Sequence, residues 1–275
     1  MKPAAATADP QVSLTPLISV RGLVKRYGTD DTARLVLDDV NLEVHQGQFL
    51  CIVGPSGAGK TTLLRCMAGL LPPTAGETVL AGVTVTKPPP SVALVFQDYS
   101  RSLLPWMSVR HNVELPLLSK QIPRAERHRR SAEALNAVGL GTSAGRYPAE
   151  LSGGMQQRVA IARALAYRPA ALLMDEPFAS VDAQTRADLE DLTLYVREAY
   201  GMTVVLVTHD IDEAVYLGDE VVVLSGSPTR VRERIAVPLG PRDQLATKSL
   251  PEFTALRSQV LQLIRRDRQQ AHATD

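Results

Sequence analysis

Gly54-Pro55-Ser56-Gly57-Ala58-Gly59-Lys60-Thr61 is the stretch from which the rest of this 275-residue chain can be read. It fits the pattern G-x-x-x-x-G-K-[ST] without a mismatch. The apolar run Phe49-Leu50-Cys51-Ile52-Val53 precedes it and a helix-compatible run through Ala68 follows, the strand–loop–helix context that this spacing requires. Glycines let the backbone curl until successive N–H groups point at one anion, and the dipole of the following helix adds to the attraction. The Lys60 ammonium can reach the outer phosphates of a triphosphate, and the Thr61 hydroxyl can ligate Mg²⁺. Gly54, Pro55, Ser56, Gly57, Ala58, Gly59, Lys60, Thr61 and the adjoining Thr62 are therefore candidate nucleotide-binding residues.

Composition narrows the rest. Hydrophobic residues make up 45 % and charged residues 21 %, which excludes wholesale disorder. The net charge is only +1, a poor match to a protein whose main task is gripping nucleic acid, where affinity comes mostly from phosphate neutralisation. Cys51 and Cys66 cannot build a disulfide framework and match no zinc spacing. Apolar runs reach about five residues where roughly 20 are needed to cross a bilayer. Residues 1–16 carry one lysine and no apolar core, so they read as a flexible tail rather than a signal peptide. These features together predict a soluble intracellular globule.

Strand-length runs at Ile18 to Val24, Val40 to Val44, Thr78 to Val85 and Val92 to Phe96 are punctuated by Gly47, Pro72, Pro73 and Pro88-Pro89-Pro90. Ser100 to Tyr147 is helix-compatible and charge-rich. Beyond Leu151, helical and strand patterns alternate. Ala171 to Met174, Thr203 to Val207 and Val221 to Leu224 have the character of buried parallel strands, while Leu189, Leu192, Val196 and Ala199 recur at helical spacing. The pattern predicts an α/β core with a mostly helical insertion at about 98–151 and one terminal helix from Pro251 to Arg268.

Ala171-Leu172-Leu173-Met174-Asp175-Glu176 ends an apolar strand in two acids, which places carboxylates at the carboxyl edge of the sheet beside the phosphate loop. Asp175 is a candidate Mg²⁺ holder and Glu176 a candidate base for an attacking water. Leu151-Ser152-Gly153-Gly154-Met155-Gln156-Gln157-Arg158 offers a second anion-seeking helix start. A chain that already has a phosphate loop and carries a second such site suggests two chains sharing each nucleotide.

This last segment closely resembles the signature sequence of the ATP-binding cassette (ABC) ATPases, with Met155 where glutamine is commoner. The resemblance covers nearly all of residues 17–240. It implies a phosphate-loop NTPase cassette with a RecA-like α/β core, an antiparallel β flank and an inserted α-helical subdomain, followed by a 241–275 extension. It also implies a head-to-tail dimer in which Ser152, Gly153, Gly154 and Gln156 approach the partner's ATP. By the same resemblance, Gln97 is the Q-loop glutamine, touching Mg²⁺ or the attacking water, and His209 is the switch histidine. Asp182, in Ser180-Val181-Asp182, belongs to the D-loop, and Tyr27 stacks on adenine.

A stand-alone cassette is similar to the ATPase subunits of bacterial-type importers. About 35 residues follow Gly240, too few for the regulatory domain seen on many sugar importers. Tyr99-Ser100-Arg101-Ser102-Leu103-Leu104-Pro105-Trp106-Met107-Ser108-Val109 and Phe178 to Ala183 resemble the nitrate/sulfonate/taurine importer ATPases. That resemblance implies a polytopic membrane permease as partner, a solute-binding protein acting through it, no nucleic acid, and a peripheral position on the cytoplasmic face of the cell membrane. Trp106, the sole tryptophan, reads either as an anchor for the permease or as core of the helical subdomain. The basic run Arg124 to Arg130 reads as a solvated helix face, with contact to the membrane partner or lipid heads as the other option. A lipid or lipoprotein extrusion ATPase and a DNA-associated ABC ATPase are the alternative functions.

Overall fold

The computed structural model describes residues 15–28, 33–97 and 102–272. Most of the expected tail, Tyr99 to Arg101 of the insertion and the last three residues lie outside them. Strands β1 (Ile18–Tyr27), β2 (Arg34–Val44), β4 (Ala75–Leu80) and β5 (Val83–Thr84) form an antiparallel sheet in the order β2-β1-β4-β5. Strands β3 (Phe49–Val53), β6 (Val92–Val95), β7 (Ala171–Asp175), β8 (Thr203–Val207), β9 (Glu220–Leu224) and β10 (Val231–Ala236) form the second sheet, ordered β10-β9-β3-β8-β7-β6. All its pairings are parallel except β10 with β9.

The central strands are buried on both faces, as their unbroken apolar runs require. Alternate residues serve opposite layers. Leu50, Ile52, Leu173, Val205 and Val207 pack with the small sheet and with helix α1 (Lys60–Met67). Cys51, Val53, Leu172, Met174 and Leu206 pack with the helices of the other face. Those helices are α4 (Gly153–Tyr167), α5 (Ala183–Tyr200), α6 (Ile211–Leu217) and α7 (Pro251–His272), joined by α2 (Val109–Ser119) and α3 (Arg124–Ala137) of the insertion, which pack on α4 and on each other.

Three details depart from the sequence reading. The run Thr78 to Val85 is broken between β4 and β5 by Ala81 and Gly82, both with left-handed backbone. β10 has no counterpart in the apolar pattern. Ala199 is exposed at the end of α5, and Thr193 rather than an apolar residue completes its buried stripe. Among the described residues, no helix is long and apolar enough to cross a membrane.

Candidate active site

The carboxyl ends of β3, β6, β7 and β8 carry, in turn, the phosphate loop, Gln97, the Asp175-Glu176 pair and His209. Parallel strands bring these distant positions to one edge of the sheet. The loop leaves β3 and wraps the N-terminus of α1. Gly59 adopts φ +70°, and a Cβ there would fall 2.8 Å from Val36 Cγ1, so the position needs glycine for both backbone and space. Thr229 Oγ1, behind the loop, donates to Ala58 O at 2.5 Å and fixes it from below.

Lys60 is buried, and its Nζ donates to Gly54 O at 2.9 Å and Pro55 O at 3.0 Å. Burial lowers its pKa, opposed by the nearby Glu176 and Asp175 carboxylates. Thr61 Oγ1 donates to Asp175 Oδ1 at 3.0 Å. Burial raises the Asp175 pKa, against the hydrogen bond from Thr61. A hydroxyl beside a desolvated carboxylate is a hard oxygen pair that fits Mg²⁺, a cation that typically takes one or two carboxylates and completes its shell with water and phosphate. Among the described residues, no group of three or more His, Cys, Asp and Glu side chains could enclose a metal. The pair would therefore hold the ion together with substrate oxygens.

Glu176 sits just past β7 with φ 45°, an uncommon backbone conformation for a non-glycine residue. Its backbone N–H donates to Val207 O at 2.8 Å, tying it to β8. Glu176 Oε2 lies 3.0 Å from His209 Nδ1. Both side chains line a cleft of about 750 Å³ together with Tyr27 and Ser56 to Thr62. Tyr27 is 44 % exposed, and its hydroxyl stands 3.5 Å from Thr62 Oγ1. A phosphate cradle, an aromatic ring on the rim and a carboxylate–imidazole pair thus face one volume, an arrangement suited to moving a phosphoryl group to water.

Other expected residues lie outside this cleft. Gln97 is exposed just beyond β6. Ser152 caps α4, its side chain accepting from Met155 N. Gly153 and Gly154 open that helix, and a Cβ on Gly154 would fall 2.3 Å from Thr185 Cγ2. Gln156 Nε2 donates to Pro148 O and Leu151 O, so its amide nitrogen braces the turn that leads into α4. Asp182 caps α5, and hydrogen bonds from the Thr185 N–H and hydroxyl lower its pKa. Within one chain, then, the structure does not bring Ser152, Gly153, Gly154, Gln156 or Asp182 to the phosphate loop.

Sequence reasoning missed Arg34 and Val36, which line the cleft from β2, and Thr229 beneath the loop. None carries a motif. Trp106, left open between anchor and core, is 71 % exposed. Much of the basic run is paired, Arg129 and Arg130 within their own helix and Arg127 with the residues just before it. Glu126 takes both Arg129 and Arg130, which hold its carboxyl at about 2, Arg129 also reaches Glu133, and Arg127 donates to Ile122 O.

Residues 37–179 match the family model described as ABC transporter. The chain is 44 % identical to an uncharacterized ABC transporter ATP-binding protein of Methanocaldococcus jannaschii, over 90 % of this chain and 91 % of that one. It is 42 % identical to the nitrate import ATP-binding protein NrtC of Synechococcus elongatus, over 85 % of this chain and 36 % of that one. A dimeric ATP-binding cassette solved in a post-hydrolysis state with ADP and Pi superposes with a TM-score of 0.70 at 33 % identity, covering 80 % of this chain and 98 % of that one. CbiO1 of Clostridium perfringens, described as part of the ABC transporter complex CbiONQ, gives a TM-score of 0.73 at 27 % identity, covering 81 % of this chain and 89 % of that one.

Proposed function

This chain belongs to the ABC transporter family of ATP-binding ATPases, and on that premise we propose that it powers uptake of a small solute through a separate membrane permease. The observation that carries the chemistry is the 3.0 Å pair of Glu176 Oε2 and His209 Nδ1 facing the phosphate loop across one cleft. ATP lies with its triphosphate over Gly54 to Thr62 and its adenine against Tyr27. Lys60 exchanges its two carbonyl partners for phosphate oxygens, and the loop N–H groups hold the rest. Thr61 and Asp175, with Gln97 near them, would hold Mg²⁺, which would supply charge neutralisation at the outer phosphates. Glu176 takes a proton from water as the water oxygen attacks the γ-phosphorus in line, and the bond to the bridging oxygen of the departing ADP breaks. His209 orients Glu176.

The second half of each site is supplied by a second copy of the chain. Ser152 to Gly154 offer backbone N–H groups at a helix start that its own phosphate loop does not use, as a head-to-tail dimer needs. The dimeric relative solved with ADP and Pi supports this reading. Exposed Trp106 supports docking of a polytopic permease beside the insertion, which would hold the chain on the cytoplasmic membrane face. Similarity to the nitrate import protein supports a solute of the nitrate, sulfonate or taurine class. Phosphate release by the purified chain tests the chemical core. Glu176→Gln should bind ATP normally and lose about 10²–10⁴-fold in rate, as removal of a general base does. Near-normal turnover would refute the assignment.

A further inference from the structure

Gln157, in the second turn of α4, is completely buried, yet neither its Nε2 nor its Oε1 has a hydrogen-bond partner. A primary amide can make up to four hydrogen bonds, and a dry, unpaired one is an expensive residue to keep. Its neighbour Gln156 has no such problem, since its Nε2 is taken by two carbonyls.

The place of Gln157 indicates what it could meet. It shares a helical stripe with Ala160 and Ala164, three and seven residues on. Both line a cavity of about 230 Å³ whose opposite wall is Val92, Ala93 and Leu94 of β6. Successive strand side chains point to opposite faces, so three in a row line one cavity only where the strand's edge is turned to it. β6 is the outer strand of the large sheet, and on that side no strand of the described residues lies beside its backbone N–H and C=O groups. α4 runs down to Tyr167 while β6 runs up from Ser91, and three residues past the helix Ala170 N donates to Ser91 O at 2.7 Å, which ties the helix end to the strand start. Helix residues rise about 1.5 Å and strand residues about 3.3 Å. From Tyr167 back to Gln157 the helix rises about 15 Å, the length of four to five strand residues counted from Ser91, so Gln157 comes level with Val95 and Phe96, just before Gln97.

We propose that Gln157 is a positioning residue for hydrolysis, its amide pairing with the open backbone edge at Val95 and Phe96 when bound triphosphate draws Gln97 inward. The pairing rests on the roles given above to Gln97 and the signature helix. It makes the approach of Gln97 and the setting of Ser152 to Gly154 one event, because the amide and the signature residues ride on the same rigid helix. A ligand shifts such an equilibrium only through contacts that differ between the two arrangements, and an amide unpaired in one and paired in the other supplies that difference.

The test uses the full chain carrying Glu176→Gln, with and without Gln157→Met, which keeps the length and drops the amide. Without nucleotide, the Met variant should melt at the same temperature or higher, since an unpaired buried polar group is gone. It should bind ATP with unchanged Kd in the monomer, but need at least about 10-fold more ATP for half-maximal dimerisation, equivalent to about 1.4 kcal/mol. A melting point several degrees lower would mean the amide is already paired, and dimerisation at the parent's ATP concentration would mean the pairing does not matter; either result overturns the proposal. If Gln157→Met does not fold, the Gln157 side-chain amide resonances of the Glu176→Gln chain decide. Protection from exchange that appears only with ATP supports the pairing, and equal protection without it refutes the pairing. A parent that fails to dimerise with ATP would bring down the shared-site reading itself, whereas a dimerising parent with an unaffected Met variant brings down only the role of Gln157.

Discussion

Replacing Glu213 by glutamine should make the chain more stable above neutral pH and leave it almost unchanged near pH 5. Glu213 is 3 % exposed at the base of α6, accepts from Thr208 Oγ1 at 2.6 Å, and has Arg186 Nε 3.6 Å away. Burial pushes its pKa up to about 7, helped by Asp210 and Glu190 and opposed by Thr208 and Arg186. The folded state therefore holds this proton more tightly than the unfolded chain, whose glutamates titrate near about 4.3. Between those values folding takes up a proton, so the stabilising margin is full below the unfolded pKa and is lost as pH rises to about 7. At about 1.4 kcal/mol per unit, the ionised carboxylate costs the folded state up to about 4 kcal/mol above pH 7. Glutamine resembles the protonated acid and keeps an acceptor for Thr208. At pH 8 the variant should gain about 1–3 kcal/mol, or roughly 2–10 °C in melting temperature for a chain of this size. The assay is thermal or urea unfolding of both proteins at pH 5 and pH 8, read as the difference between them so that other titrating groups cancel. A variant less stable than the parent at pH 8, or a difference that does not change with pH, would refute the reasoning.

Four further outcomes are expected. Trp106→Ala should leave melting within about 1–2 °C, since the 71 % exposed ring is no core residue, whose truncation would cost about 3–5 kcal/mol; pull-down with the permease should weaken. Lys60→Ala should lower ATP affinity by about 10–100-fold in equilibrium binding, the loss of charge-assisted contacts worth roughly 1.5–3 kcal/mol. Gly59→Ala should reduce both melting temperature and ATP affinity, because its φ of +70° and the 2.8 Å approach to Val36 Cγ1 leave no room for a methyl. Ser152→Arg should bind ATP as a monomer and fail to dimerise or hydrolyse it; loss of affinity in the monomer would mean that the loop acts in cis.

The parts of the fold that the sequence betrays are those where chemistry or burial leaves little freedom. β3, β7 and β8 are buried on both faces and read as unbroken apolar runs. The phosphate loop reads because its backbone path needs glycine at fixed intervals. β10, Val-Arg-Glu-Arg-Ile-Ala, does not read, because an edge strand carries charges that mask its alternation. The first half of β2 is hidden by Asp38 and Asp39, the latter in a left-handed conformation, so Arg34 and Val36 come to the cleft unannounced. Whether Trp106 is core or surface depends on the placement of the insertion, which local pattern does not encode. The unpaired amide of Gln157 becomes visible only once α4 is packed, because in sequence it is one polar residue in a run of them.

Every role proposed for this chain depends on Glu176 performing hydrolysis in a site completed by a second chain. Light scattering of the Glu176→Gln chain with MgATP measures this most directly. The mass should double, one ATP should stay unhydrolysed per chain, and adding Ser152→Arg should return the protein to a monomer. A Glu176→Gln chain that stays monomeric with ATP, or turns ATP over at the parent's rate, would contradict those roles.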